Sequence, residues 1–431
     1  MLAVLVAAGL AAGAPGPALA GAPAQAPVDT LPPALAAPAP ARAQAPSDTL
    51  PAEPALAAPA PAPAPASVAA PVPVRATAPA PARPGGPASA GEAPPEPGPG
   101  RWFYRGLPYG SDAMTHPLRL VINGGFGIMQ FDSRSNRLGD VRWERGWNRV
   151  WDDMTNPARA IEVGGWWDWV QREVLPFSAN KRDAQYWPNY TLHLVGGGMT
   201  YVLVREWYEH HAVPHPRAMA IGTMAVYHVL NEVVENDRRP GPTTDALTDL
   251  YLFDPASILL FSHEGVCGFF SRRLHMRDWS SQPAIDPVTG ALENQGQNYS
   301  LKLALPRSER WSLFYYFGNH GEGGLTYTRP DGSAFSLGAG FQAKALREIG
   351  GNAQTADLVP SYGFFYDRHG SLLFSVTGAK TSRYRVKVNV YPGLLRVRGH
   401  TAGLFLAWNR EGETVAGLTV PFVPVGVAGR R

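Results

Sequence analysis

A long stretch of alanine, proline and glycine limits most strongly what this chain can fold into. Residues 21–100 carry almost no large apolar side chains that could be buried in a core. Such a stretch cannot offset the conformational entropy that folding costs, so we expect an extended, disordered linker there. The folded part then begins near residue 101, and its about 330 residues suffice for one large domain or two ordinary ones.

Residues 1–20 are typical of a signal peptide. An apolar run leads to Ala18-Leu19-Ala20, a small-x-small pattern that predicts cleavage before Gly21. The alternative is an apolar extension of the linker, because basic residues are missing at the start of the run. We expect export to the bacterial periplasm or outer membrane. The linker would then act as a stiff spacer that reaches other envelope components.

Charge and cysteine content exclude several classes of function. With 38 basic and 35 acidic residues the net charge is +3, so the chain has no basic excess of the kind that nucleic-acid partners require. The single cysteine, Cys267, excludes an intrachain disulfide framework and a multi-cysteine metal site. The sequence lacks a phosphate-binding glycine loop, a nucleophile elbow and an HExxH motif. We therefore expect no cofactor, and no reaction is identified.

The opening segment, residues 101–185, combines one strand candidate with a run of tryptophans. Leu118–Phe131 reads as a strand in which Gly124 and Gly125 permit a bend. Tryptophan rings often lie at a membrane–water boundary, but they also fill ordinary cores. The tryptophans concerned are Trp143, Trp147, Trp151, Trp166, Trp167 and Trp169.

Residues 186–275 read as a helical subdomain of three or four helices. Their uncharged apolar runs are shorter than the ~20 residues that span a bilayer, so packed helices are expected. Apolar spacing and capping signals predict helices over Tyr190–His211, from Pro216 to about Asn236, after a cap at Thr243 or Thr244, and after Pro255.

Between residues 298 and 425 the hydrophobic period changes to two. Val386, Val388 and Val390, for example, alternate with polar neighbours, and turn signals such as Pro330-Asp331-Gly332 separate the segments. We expect about 8–10 strands in an antiparallel meander and an α+β fold overall. Export and aromatic richness favour a membrane β-barrel with one apolar and one polar face per strand. A soluble sandwich is the alternative, and the non-aromatic end of the chain weighs toward it.

Polar residues recur at helical spacing in the central subdomain. Convergence of their faces would create a histidine–carboxylate cluster that could bind a divalent metal or act as an acid–base pair. The alternative is a buried polar network whose carboxylates are neutralised by Arg205 or Arg217. The metal, if any, stays unspecified. The candidate site residues are His193, Glu206, His228, Glu232, Glu235 and Asp249.

The order of these residues resembles a family of uncharacterised bacterial envelope proteins. The motifs are Asn189-x3-His193-x3-Gly197-x3-Tyr201, then Asn231-Glu232-x2-Glu235, then Asp245 and Asp249, all within residues 185–265. The resemblance implies an exported protein, often with barrel-like sequence, and no known activity.

The sequence thus predicts a non-enzymatic structural or binding protein of the outer membrane, in contact with lipid. Its barrel would carry a helical plug or a periplasmic helical subdomain. The alternatives are an envelope lipid or cell-wall hydrolase that uses the histidine–carboxylate cluster, and a soluble β-sandwich binding module.

Overall fold

The computed structural model describes residues 100–175, 188–239, 241, 243–348, 354–381, 383–397, 400–421 and 423–431. The predicted signal peptide and all but the last residue of the predicted linker lie outside the described residues, as do residues 176–187 of the opening segment. The chain has the expected α+β class, with helices first and a large sheet after them.

The helical part extends from Asp112 to Arg273. Short 3₁₀ turns at Asp112–Met114, Gly127–Gln130 and Leu138–Asp140 connect its first helices. The helices are α1 Pro117–Gly125, α2 Trp143–Thr155, α3 Pro157–Gly164, α4 Trp166–Trp169, α5 Gly198–His210, α6 Pro216–Asn236, α7 Asp245–Thr248, α8 Asp254–Phe261 and α9 Glu264–Gly268. π-Helical turns occupy Val170–Val174, Asn189–Gly197, Asp249–Phe253 and Phe269–Arg273.

None of the helices formed by the described residues is both long and apolar enough to cross a membrane.

The strand predicted over Leu118–Phe131 is wrong, because this segment forms α1 and the following 3₁₀ turn. Pro117 occupies the first helical turn, and Nδ1 of the preceding His116 accepts the N–H of Leu118 at 3.1 Å. A Cβ on Gly124 would lie 1.9 Å from the ring of Tyr227. The glycine therefore serves the close packing of α1 on α6 and not a bend in a strand.

The other helices follow local signals closely. Helix α6 spans the range predicted from Pro216 to Asn236. Before α7, Oγ1 of Thr243 accepts the N–H of Asp245 at 3.1 Å, whereas Thr244, which occupies the N-cap position, makes no side-chain cap hydrogen bond. The helix predicted over Tyr190–His211 is formed by a π-helical turn that continues directly into α5.

The described strands form one thirteen-stranded sheet and a separate two-stranded ribbon. The strands are β1 Arg277–Asp278, β2 Ala284–Ile285, β3 Leu292–Glu293, β4 Asn298–Ala304, β5 Trp311–Gly318, β6 His320–Thr328, β7 Ser333–Glu348, β8 Gln354–Arg368, β9 Ser371–Ala379, β10 Val386–Val390, β11 Arg396–Val397, β12 His400–Thr401, β13 Gly403–Trp408, β14 Thr414–Thr419 and β15 Gly426–Arg430. The order in the large sheet is β1-β4-β5-β6-β7-β8-β9-β10-β13-β14-β15-β2-β3, and the ribbon pairs β11 with β12. From β4 to β15 the large sheet is the antiparallel meander that the alternating pattern predicts.

The meander is strongly curved, although hydrogen bonds between the described strands do not close it. Its first strand pairs with β1 and its last with β2, and only five residues separate these two short strands in the chain. Extended chain of that length reaches about 20 Å. If the ten meander strands and these two were laid flat at about 4.8 Å per strand, β1 and β2 would lie about 53 Å apart. The two ends must therefore curl toward each other.

The two faces of the meander have opposite character. The inner face packs around Trp279, a fully buried side chain that contacts Phe314, Tyr316 and Phe365. A second apolar group on the inner face contains Phe405, Ala407, Val415 and Ala428. The inner face also has many buried polar members, which include Ser300, Lys302, Glu322, Thr326, Ser336, Ser361, Asp367, Thr377, Lys387 and Asn389. The outer face is apolar and largely exposed.

The helices contact the outer face at one end of the first strands. Tyr299 of β4 and its ladder partner Phe317 of β5 belong to the main helical core, together with Met199, Val202 and Phe261. Thr200 in α5 shares a hydrogen bond of 2.8 Å with the Tyr299 hydroxyl. The helices therefore lie beside this part of the sheet, on the face opposite Trp279.

Candidate functional site

Four side chains from four helical elements meet in one place. His193 comes from the π-helical turn before α5, and His228 comes from the middle of α6. Asp249 lies in the turn after α7, and Asp254 begins α8. We call this set the His–Asp cluster; His228 and Asp249 are buried, and the other two are nearly so.

The distances show that the two histidines share one aspartate. Nδ1 of His193 lies 3.1 Å from Oδ1 of Asp254, and Nδ1 of His228 contacts Oδ2 of the same carboxylate. On the other side of its ring, Nε2 of His193 lies 3.1 Å from Oδ2 of Asp249. The two imidazole rings are 5.1 Å apart and nearly perpendicular.

The π-helical turns explain why these residues converge. In a π-helix, residues five apart are linked by hydrogen bonds and lie on one face, and such turns often mark functional sites. Asp249 and Asp254 are five residues apart across the turn Asp249–Phe253, so both carboxylates face His193. A regular helix would have turned the second carboxylate to another side.

Further carboxyl groups surround the cluster. We call Glu173, Glu232, Glu235 and Asp245 the acid network, and all four are buried. Asn236 in α6 donates to Glu232 at 3.3 Å, and Asn189 donates to Glu173 at 3.2 Å.

The guanidinium groups near the acid network are not the ones that the sequence suggested. Arg239 lies 3.9 Å from Asp245, and Arg134 lies close enough to lower the pKa of Glu235. Arg205 lies 3.9 Å from Glu206 and 3.4 Å from Glu209, and Arg217 is exposed. Arg205 thus pairs with one of the predicted carboxylates, Glu206, but the acid network has Arg239 and Arg134 as its neighbours.

Burial and neighbouring charges shift the pKa values of these carboxyl groups in different directions. Burial, the larger cause, and repulsion from Asp245, the second, raise the pKa of Glu173 to about 8 and that of Glu235 to about 7. The same two causes raise the pKa of Glu232 and Asp249 well above the usual range.

Asp254 behaves in the opposite way. Burial acts to raise the pKa of Asp254, but contacts with His228 and His193 hold this pKa at about 2. Burial in turn lowers the pKa of His228. The cluster thus combines an aspartate whose pKa is lowered with one whose pKa is raised, a division that acid–base catalysis uses.

A cavity of about 320 Å³ adjoins the cluster. Its polar end is formed by His193, Asp249, Glu235, Asp245 and Asn189. Its apolar end consists of strand residues, and these are Tyr315, Phe317, Phe341, Ala343, Leu346, Ala356 and Leu358. Leu358 is 39 % exposed, so the apolar end extends to the outer surface of the sheet.

Five of the six predicted site residues lie in this region. His193, His228 and Asp249 make direct contacts within the cluster, while Glu232 and Glu235 belong to the acid network. Glu206 does not join them. Its carboxylate accepts the backbone N–H groups of residues 102–104 at 2.7–2.9 Å and so fixes the start of the folded chain.

The sequence-based selection missed Asp254 and Glu173. Asp254 precedes Pro255 at the start of a helix, so it reads as an ordinary helix-initiating residue. Its spacing of five from Asp249 is the signal that could have identified it, provided a π-helical turn had been expected. Glu173 lies in the tryptophan-rich segment, and no motif connects it to the later helices.

The comparisons with protein-family models, with curated proteins and with solved structures gave no match for this chain.

Proposed function

We propose that this chain is an exported bacterial envelope protein whose meander lies in the outer membrane as a barrel wall. In this proposal the protein binds an amphipathic molecule, a lipid in particular, in the cavity beside the His–Asp cluster. The observation that supports this proposal most directly is an unbroken row of apolar side chains across the outer face of nine strands.

Each member of this row is the direct ladder partner of the next, and none is charged. At about 4.8 Å per strand the row is about 38 Å long. An apolar surface of this extent marks contact with lipid or another protein. The row comprises Leu303, Leu313, Leu325, Leu337, Phe364, Val376, Val388, Leu406 and Ala416.

A second row of paired residues runs beside the first and begins with five aromatic side chains. Membrane barrels carry aromatic girdles at the borders of their apolar band, where the rings meet the interface. We call the two rows together the outer band. The members of the second row are Trp311, Tyr327, Phe335, Tyr366, Phe374, Val390, Leu404, Leu418 and Val427.

The dimensions of the longest strands also favour a membrane. On β8 the outward side chains from Leu358 to Tyr366 are all apolar, and they span about 27 Å along the strand. The apolar band of an outer-membrane barrel is about 25 Å tall. The alternate residues from Ser361 to Asp367 are buried, and they include the polar Ser361 and Asp367 beside Gly363 and Phe365. This is the reverse of the polarity expected for a sheet with its outer face in water.

The tryptophans of the helical part are consistent with a nearby interface. Trp143, Trp147, Trp151, Trp166 and Trp167 are between 41 and 67 % exposed, so they do not fill the core. Exposed indole rings in such number are typical of proteins that contact the headgroup region of a bilayer.

The position of the cavity suggests the kind of ligand. It lies between the helices and the outer face of the sheet, and its apolar end runs to Leu358, one of the outward residues of β8. A chain-like apolar group could therefore enter from the membrane while a polar headgroup meets His193 and Asn189.

Membrane fractionation tests the location. The full chain, expressed with its N-terminal segment in a Gram-negative host, is expected in the outer-membrane fraction after an alkaline wash. Its gel mobility is expected to change on heating. Recovery in the soluble periplasmic fraction would refute the proposal.

Lipid co-purification tests the ligand. Ala343→Trp fills the cavity, so we expect less lipid to co-purify in detergent, as measured by mass spectrometry. Ala339→Trp is the matched control, because Ala339 lies on the same face of β7 in an exposed position and does not line the cavity. Equal lipid content in the two variants would contradict binding in this cavity.

A second candidate function is hydrolysis of an envelope lipid or of cell-wall material. One observation favours it: His193 lies between two aspartates and also lines the cavity. A carboxylate that orients an imidazole and stabilises its charged form is the usual support for a general base that activates water.

Chromogenic acyl esters offered to the purified protein test this activity. His193→Gln is expected to abolish turnover, whereas His263→Gln, a change at an exposed histidine, is expected to leave it unchanged. Wild-type turnover no faster than that of His193→Gln would exclude the hydrolase.

A further inference from the structure

We propose that His193, His228 and Asp254 bind one divalent first-row transition-metal ion, such as Zn²⁺, and that Asp249 orients His193 for it. This site is independent of whether the outer band contacts lipid. It would add a metal centre to the polar end of the cavity.

The spacing of the three ligands supports the site. One potential ligand atom from each of His193, His228 and Asp254 lies within 4.8 Å of the other two. Imidazole nitrogen and carboxylate oxygen bind Zn²⁺ at about 2.0–2.2 Å, so an ion between the three side chains requires only small movements. Two imidazoles with one carboxylate suit zinc and its first-row neighbours, and catalytic sites often have three protein ligands.

Asp249 occupies the position of a supporting carboxylate. A histidine that binds a metal through one ring nitrogen usually donates a hydrogen bond from the other nitrogen to a carboxylate, which fixes the ring. Nδ1 of His193 lies 3.1 Å from Asp254, while Nε2 lies 3.1 Å from Asp249. One ring nitrogen of His193 therefore faces the proposed ligand Asp254, and the other faces the supporting carboxylate of Asp249.

One buried atom of a proposed ligand supports an additional partner. Among the described residues, Nε2 of His228 has no hydrogen-bond partner, and this side chain is only 1 % exposed. Buried polar atoms are nearly always satisfied, and an ion bound by His228 would satisfy this one.

The local charge also favours a cation. The cluster and the acid network together bring six buried or nearly buried carboxyl groups into one region. They lie between helices and beside a cavity through which an ion can reach His193. A divalent ion would offset part of the cost of ionising these groups away from water.

Cobalt titration of the full chain tests the site. After treatment with a chelator, the wild type is expected to bind one Co²⁺ per chain with visible ligand-field absorption, and Zn²⁺ should displace it. His193→Gln, His228→Gln and Asp254→Asn should each weaken binding by more than about 100-fold. Asp249→Asn should weaken it by about 10- to 100-fold, the effect typical of a supporting carboxylate, and keep the absorption bands.

His263→Gln is the matched control and should bind like the wild type, because His263 is exposed and outside the cluster. Circular dichroism identifies variants that fail to fold, and the wild-type titration needs no variant. Absence of one-to-one binding in the wild type would overturn the site, as would wild-type affinity in His228→Gln and Asp254→Asn. Membrane fractionation of the metal-free protein separates this result from the proposed location.

Discussion

Leu337 offers the sharpest test of what the outer face of the sheet contacts. Its side chain is 66 % exposed and lies between its ladder partners Leu325 and Phe364 in the middle of the outer band. If this face contacts lipid, Leu337→Arg places a charge in hydrocarbon at a cost of about 2–4 kcal/mol. The equilibrium between inserted and unfolded protein would then shift by about 30- to 1,000-fold. If the face contacts water, an exposed substitution should change stability by less than about 0.5 kcal/mol.

Urea titration of the full chain folded into lipid vesicles measures this difference. Val288→Arg is the matched control, because Val288 is 91 % exposed in the turn between β2 and β3, away from the outer band. We expect a clear loss of stability for Leu337→Arg and none for Val288→Arg. Equal urea midpoints for the two variants and the wild type would refute the assignment of this face to lipid.

Three further predictions concern stability. Burial raises the pKa of Glu173 to about 8 and that of Glu235 to about 7, so folding takes up protons at pH values above 4.5, the ordinary pKa of glutamate. The urea midpoint should therefore fall as pH rises from about 5 to 8, and it should fall less in Glu173→Gln. A midpoint that rises with pH would contradict this. Trp279→Ala should cost about 3–5 kcal/mol and Trp279→Phe clearly less, because the indole fills the centre of the inner face; equal losses in denaturant titrations would argue against that packing. Glu206→Gln should cost about 1.5–3 kcal/mol and expose residues 102–104 to proteolysis, while Glu209→Gln at the exposed end of α5 should do neither.

The His–Asp cluster could be predicted from sequence only in part. His193, His228 and Asp249 stand out because each lies at helical spacing from other polar residues, and spacing within one helix is a local property. Asp254 was missed because its position beside His193 depends on a π-helical turn that no local sequence pattern predicts. Glu206 was included for its spacing, yet its partners lie about a hundred residues earlier in the chain.

The meander shows the same division at a larger scale. Alternation at residues such as Val386, Val388 and Val390 predicts strands and faces, since the side chains of a strand point alternately to its two sides. It does not say whether the apolar face is inside or outside. That depends on Trp279, which fills the inner face from a segment preceding the meander.

The sequence by itself determined the features that neighbouring residues control. These are the α+β class, the long helix from Pro216 to Asn236 and the period-two meander after residue 298. Only the tertiary structure decided which surfaces meet. It made Leu118–Phe131 helical against Tyr227, placed Asp254 between two histidines and left the apolar face of the strands exposed. The physical reason is that periodicity and capping act over a few residues, whereas burial and convergence depend on segments far apart in the chain.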